Sequence, residues 1–209
     1  MTTELENRRE ETPQRPLRRT VFARAVTDAL QPPAVLVVAM GVVAATSATT
    51  VGQAFLWGVP AVLFGGVLPF LFILIGVRRG RLSDVHIRVR HQRHIPLAVA
   101  LASVLVGLAI LYATDAPRPL TSLFIVVLLA LLPCMAITVW WQISAHAAFA
   151  AAVAVYCIAL WGPWLAFTAA AVALVGWSRI ELRAHTMRQV LAGAALGAIT
   201  GCSSWLLLT

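Results

Sequence analysis

The apolar positions of this chain fall in long runs separated by short polar breaks. The run from 34 to 77 is too long for one membrane crossing at about 1.5 Å of rise per residue, and the polar stretch 46–53 in its middle supplies a turn. Beyond a basic segment at 78–94, further runs cover about 96–113 and 120–141, divided by the Asp115-Ala116-Pro117-Arg118-Pro119 turn. Two shorter runs, about 144–161 and 163–177, meet at Gly162-Pro163, and a last run covers about 188–208. A bilayer core about 30 Å thick takes roughly 20 apolar residues per helix, and a helix satisfies every backbone group within its own segment. The pattern predicts an all-α, polytopic transmembrane bundle of seven spans, with six as the alternative count.

Two regions follow. Residues 1–32 form a polar N-terminal arm, in which 1–19 mixes Glu4, Glu6, Glu10 and Glu11 with Arg8, Arg9, Arg15, Arg18 and Arg19 and is broken by Pro13 and Pro16, the composition of a solvated, disordered segment. Within 20–30, Val21, Phe22, Ala25, Val26 and Leu30 recur at helical spacing opposite Arg24 and Asp28, which predicts a short helix lying on the membrane surface and ending at Pro32 and Pro33. The arm is too polar and acidic for a cleaved signal peptide, so insertion is expected to rely on the first membrane helix. Residues 33–209 are the transmembrane domain.

Composition sharpens this picture. Sixty per cent of residues are hydrophobic and 11% charged, against roughly 45–50% apolar usage in soluble domains. All sixteen basic residues are Arg, and the formal net charge is +8. In a membrane protein such an excess belongs on loops beside anionic lipid, so membrane lipids rather than nucleic acid are the expected partners. With seven spans, the arm, the 78–94 loop, the 140–146 junction and the 178–188 loop share one face, which then holds fifteen of the sixteen Arg, only Arg118 falling opposite. The positive-inside rule makes that face, and the N-terminus, cytoplasmic in a cell membrane. Trp140, Trp141 and Trp177 are expected at that interface, with Trp161 and Trp164 at the other.

Smaller features add less. Cys134, Cys157 and Cys202 lie far apart inside apolar runs and read as packing residues. His86, His91 and His94 lack acidic companions beyond Asp84, so neither a metal site nor a cofactor is expected. Gly193, Gly197 and Gly201 recur every four residues, a small-residue face for close helix approach within the chain or between protomers, which leaves oligomeric state open.

Two polar stations interrupt the C-terminal half: Gln142-Ile143-Ser144-Ala145-His146 before one helix, and Ser178-Arg179-Ile180-Glu181-Leu182-Arg183-Ala184-His185 after its hairpin partner. A hairpin closed at Gly162-Pro163 brings its ends together, so His146 and His185 are expected to approach one pocket. These residues resemble the type 2 phosphatidic acid phosphatase and haloperoxidase superfamily, whose motifs read K-x-x-x-x-x-x-R-P, P-S-G-H and S-R-x-x-x-x-x-H-x-x-x-D. Ser178, Arg179 and His185 match the third motif at its spacing, and Val190-Leu191-Ala192-Gly193 with Gly197 looks like its usual continuation. Ser144 and His146 retain the Ser and His of the second, with Ile143 and Ala145 replacing Pro and Gly. The first survives as Arg88 with Pro96, its Arg displaced to Arg93. The resemblance covers about 78–200.

The resemblance implies an integral membrane phosphatase that hydrolyses a lipid or prenyl phosphomonoester or pyrophosphate through a phosphohistidine. His185 would be the nucleophile and His146 the acid and base. Arg179, Arg88, Arg93, Ser144 and Ser178 would bind phosphate, since planar guanidinium matches its oxygens bidentately. Gln189 stands where the family has the Asp that orients the nucleophile. It would hold His185 through its carbonyl without contributing charge, and loss of such a carboxylate costs about 10⁴ in rate in a Ser-His-Asp system. Glu181 is a candidate substitute. The alternative is a catalytically impaired homologue that binds anionic lipid or a partner protein. A small transporter is disfavoured, because no charged residue sits mid-span.

Overall fold

The computed structural model describes residues 18–87 and 89–209, with the side chains of Arg90 and His91 left out. The expectation of disorder for the arm therefore falls mostly outside the described residues, as does Arg88. The described chain is helical: α1 (Arg18–Ala29), α2 (Pro32–Ser47), α3 (Val51–Arg78), α4 (His94–Ala113), α5 (Arg118–Thr138), α6 (Ala145–Trp161), α7 (Pro163–Glu181) and α8 (Met187–Leu208). Their starts follow local chemistry. Thr50 and Ser144 accept the N–H groups of Gln53 and Ala147, and Thr186 opens α8 with a reciprocal capping box to Gln189. Gly162, at φ 107°, and Pro163 close α6.

All seven apolar runs are helices, but among the described residues five are long and apolar enough to cross a membrane: α3, α4, α5, α7 and α8. The pair α1 and α2, bent by 46°, passes as one broken span, which brings the count to six rather than seven. The difference arises at α6, whose 17 residues rise only about 26 Å. This helix is the axis of the bundle, packed by α2, α5, α7 and α8. Ala147, Ala148, Phe149, Ala151, Ala152, Val153, Ala154 and Tyr156 are all buried, and a helix wrapped in protein need not match the bilayer.

The closest packing is between α6 and α8. A Cβ on Gly193 would lie 2.4 Å from the Ser144 carbonyl oxygen, and one on Gly197 would lie 2.0 Å from that of Ala148. The small-residue face thus serves an internal contact. It seats the first turn of α6 beside the first turn of α8, where the Ser144 N–H donates to the Gln189 carbonyl at 3.2 Å.

Cross-links between distant segments show that four polar stretches meet at one end. Thr27 bonds Ser178 at 2.9 Å, His86 approaches Asp28 at 3.3 Å, and Arg93 reaches the Ile143 carbonyl at 3.5 Å. At the other end Trp57 donates to the Thr114 carbonyl, and Arg118 to the carbonyl of Thr209. Helix α1 buries a different face from the one its apolar spacing marks. It docks on α7 through Ala23, Val26 and Thr27, while Val21 and Phe22 remain 51% and 55% exposed. The docking face is rotated because Arg19 pairs with Glu181 at 2.9 Å and Phe22 meets Trp177 at a centroid separation of 5.8 Å.

Inside α3, the stretch Leu63–Val67 is π-helical, and the Leu68 N–H returns to the Leu63 carbonyl. In that pattern the Phe64 carbonyl would need the N–H of residue 69, which is proline. Ser103 supplies the missing donor at 2.7 Å, tying α4 to α3.

Gly197→Ala is expected to lower the thermal unfolding temperature of the purified protein, with overpacking costing about 1–3 kcal/mol or more. Gly52→Ala, whose new Cβ would meet nothing closer than 3.9 Å, serves as the tolerated control. Equal melting of the Gly197 variant and the wild type would contradict the backbone contact between α6 and α8.

Candidate functional site

A cavity of about 140 Å³ lies at the polar end, between the α1–α2 elbow, the 78–94 loop and the starts of α4 and α6. His146, on the first turn of α6, and His185, in the α7–α8 connection, both line it, and so does Arg93. The convergence expected from the hairpin is present for His146 and His185, and Arg93 joins them from outside the hairpin. Arg179, in the last turn of α7, is 2% exposed and lies within electrostatic reach of both imidazoles.

The local backbone explains how these groups are held. The chain turns after α7 so that the N–H groups of Ala184 and His185 both return to the Arg179 carbonyl, at 3.0 and 3.2 Å. That turn presents His185, 6% exposed, to the cavity. Arg93 is anchored by its Nε, which donates to the Ile87 carbonyl at 2.8 Å. Ile87 is buried and left-handed at φ 45°, a costly conformation for a β-branched residue. The strained backbone is what aims that carbonyl at the guanidinium.

Other expected site residues have different employment. The Ser178 hydroxyl donates to the Val175 carbonyl and pairs with Thr27, and it does not line the cavity. Ser144 is fully buried and its hydroxyl caps α6. The Gln189 Oε1 accepts the Thr186 N–H at 2.9 Å, so its carbonyl is shared with the capping box and not reserved for His185. Glu181 is paired with Arg19. The Nδ1 of His185 and the Nε2 of His146 are buried with no hydrogen-bond partner.

His86 also enters the cavity. Its ring stacks on His146 at 5.6 Å between centroids, and its Nε2 faces the Asp28 carboxylate of α1. No spacing rule points to it, because the contact depends on α1 folding across the bundle. His94 instead lines a separate groove with Leu132 and Val139, so the histidines of the 78–94 segment do not share one centre. Among the described residues no group of three or more His, Cys, Asp and Glu side chains is arranged to hold a metal.

Electrostatics set the protonation of the site. Burial first, then the Arg179 charge and that of Arg93, push His185 down to about 4, outweighing the support that the Gln189 side chain and the Gln142 backbone give its charged form. Burial also lowers Arg93, against the opposing pull of Asp84. The cavity thus combines a neutral imidazole with guanidinium charge, which suits an anion. Phe70, Ile73, Leu97 and Phe149 form its apolar walls. Counted at roughly 10–15 Å³ per water-sized group, it holds on the order of ten such groups, room for a phosphoryl group and a few methylenes.

No family model matches the sequence, and neither the curated proteins nor the solved structures contain a match.

An unfolded His titrates near 6.5 and folded His185 near 4. Between these values the unfolded chain binds more protons. His185 therefore contributes stability fully above about pH 6.5, and that contribution is lost as pH falls toward 4, with a limiting slope of about 1.4 kcal/mol per pH unit. Chemical unfolding of wild type and His185→Gln across this window should show a shallower pH dependence in the variant. Parallel curves would mean that His185 is not held neutral.

Proposed function

We propose that this protein is an integral membrane hydrolase that removes phosphate from a lipid or prenyl phosphomonoester or pyrophosphate, with a core of the type 2 phosphatidic acid phosphatase kind. One arrangement supports this most: His146 and His185, remote in sequence, open with Arg93 onto one cavity whose remaining wall is largely apolar. A soluble phosphate ester has no use for that wall, whereas a lipid phosphate has a head for the cations and a chain for the apolar side chains.

In the proposed reaction, Nε2 of His185 attacks phosphorus, and an N–P bond forms as the bond to the leaving oxygen breaks. His146 donates a proton to that oxygen. It then takes a proton from water as the water oxygen attacks the phosphohistidine and frees the His185 nitrogen. Arg93 and Arg179 oppose the charge on the non-bridging oxygens. The bound dianion itself favours protonation of the neighbouring imidazoles, which supplies the acid form of His146 when substrate is present.

A second reading, anionic-lipid binding without turnover, is favoured by one observation. The nucleophilic tautomer carries its proton on Nδ1 of His185, which has no partner, while the Gln189 carbonyl is held by Thr186. The two readings separate in a phosphate-release assay on phosphatidic acid and prenyl phosphates in mixed micelles. Wild type should release phosphate slowly, His185→Ala should not, and Gln189→Asp should raise the rate by about 10² or more, since a carboxylate there restores the orienting partner. Binding without release by wild type and Gln189→Asp alike would leave the non-catalytic reading.

The site face is proposed to be cytoplasmic. Among the described residues it carries eleven of the twelve Arg, and Thr209 lies at the opposite end with the exception, Arg118. A periplasmic or extracellular reporter fused after Thr209 should be active and a cytoplasmic one silent. The reverse pattern would invert the orientation.

A further inference from the structure

We propose that a groove between the polar-end halves of α3 and α4 binds an anionic phospholipid, at a site separate from the histidine cavity. The two helices divide their faces between these sites. On α3, Phe70 and Ile73 line the cavity, whereas Phe72 and Ile75, with Arg79 just past the helix end, line the groove. At the start of α4, Leu97 and the preceding Arg93 turn to the cavity and Ile95 to the groove. The groove, about 500 Å³, shares no lining residue with the cavity.

Its walls are built for an amphiphile. Phe72, Ile75 and Ile95 are exposed apolar side chains on the lipid-facing surface, the last at 69%. Arg79 and Arg81 stand at its polar end, and among the described residues no ion pair or side-chain hydrogen bond engages either guanidinium. The turn that carries them is ordered. Gly80 takes φ 68°, and the N–H groups of Arg81 and Leu82 both return to the Gly76 carbonyl, at 2.9 and 3.2 Å. The Gln92 Oε1 accepts the N–H and hydroxyl of Ser83, leaving the Gln92 NH₂ as a further donor on the groove lining. Two cations above an exposed apolar slot complement a negative head joined to an apolar chain. A soluble anion would leave the slot uncovered, and a zwitterionic lipid would leave the cations without net countercharge.

Purified full-length protein is equilibrated with equal amounts of dioleoyl phosphatidylglycerol and dioleoyl phosphatidylcholine, and the lipid retained is read by native mass spectrometry. Wild type should retain the anionic lipid over the zwitterionic one by roughly thirtyfold, the scale of two Arg–headgroup contacts. The exposed pair R79Q/R81Q should bring retention near parity, Ile95→Ser should weaken retention of both lipids, and His185→Gln in the cavity should leave the preference intact. Equal retention by wild type, an unchanged preference in R79Q/R81Q, or loss of preference in His185→Gln would overturn the groove as the site.

Discussion

The approach of α8 to α6 across Gly193 and Gly197 governs the geometry of this molecule. Where two backbones come this near, a single methyl group on one helix collides with a carbonyl oxygen of the other. The contact therefore sets both spacing and register. Register matters because the first turns of the two helices hold the cavity's imidazoles, His146 on one and His185 just before the other, with the Ser144 N–H bonded to the Gln189 carbonyl between them. The last helix is a positioning element for a site to which it contributes little directly.

Around that axis the polar end is assembled by contacts of long sequence separation. Helix α1 reaches across to α7, where Thr27 meets Ser178 and Arg19 meets Glu181, and it brings Asp28 to His86. The 78–94 loop turns through a strained Ile87 to place a carbonyl against Arg93. Each contact commits a polar group that would otherwise lie unsatisfied beside an apolar bundle. What remains facing the cavity is a small set: the His146 and His185 imidazoles, with burial first and guanidinium charge second holding His185 neutral.

Much of this architecture was legible in the order of residues. Apolar runs located α2 to α8, because the pattern of apolar and polar residues is local and strong. Gly162-Pro163 implied the hairpin that brings His146 and His185 to one cavity, and the four-residue glycine repeat implied a close helix contact. The span count was less legible, since hydropathy cannot tell a helix that meets lipid from α6, which is wrapped by its neighbours. Individual hydroxyl and amide roles were not legible either. Ser144, Ser178 and Gln189 sit at spacings that suit phosphate chemistry, yet all three satisfy caps and interhelical bonds in this structure, because the nearest unpaired backbone or hydroxyl group competes for them. The place of His86 in the cavity was not legible for the opposite reason, its partner Asp28 being supplied by the folding of α1 over the bundle.

If the cavity is a phosphoryl-transfer site, a pentacoordinate phosphate mimic should find it. The most direct measurement is an experimental structure of the protein with orthovanadate. Vanadium within bonding distance of His185 Nε2, with Arg93 and Arg179 on its equatorial oxygens and His146 at the opposite apex, is the predicted arrangement. An empty cavity at saturating vanadate, or vanadate held elsewhere with His146, Arg179 and His185 turned away from one another, would contradict it.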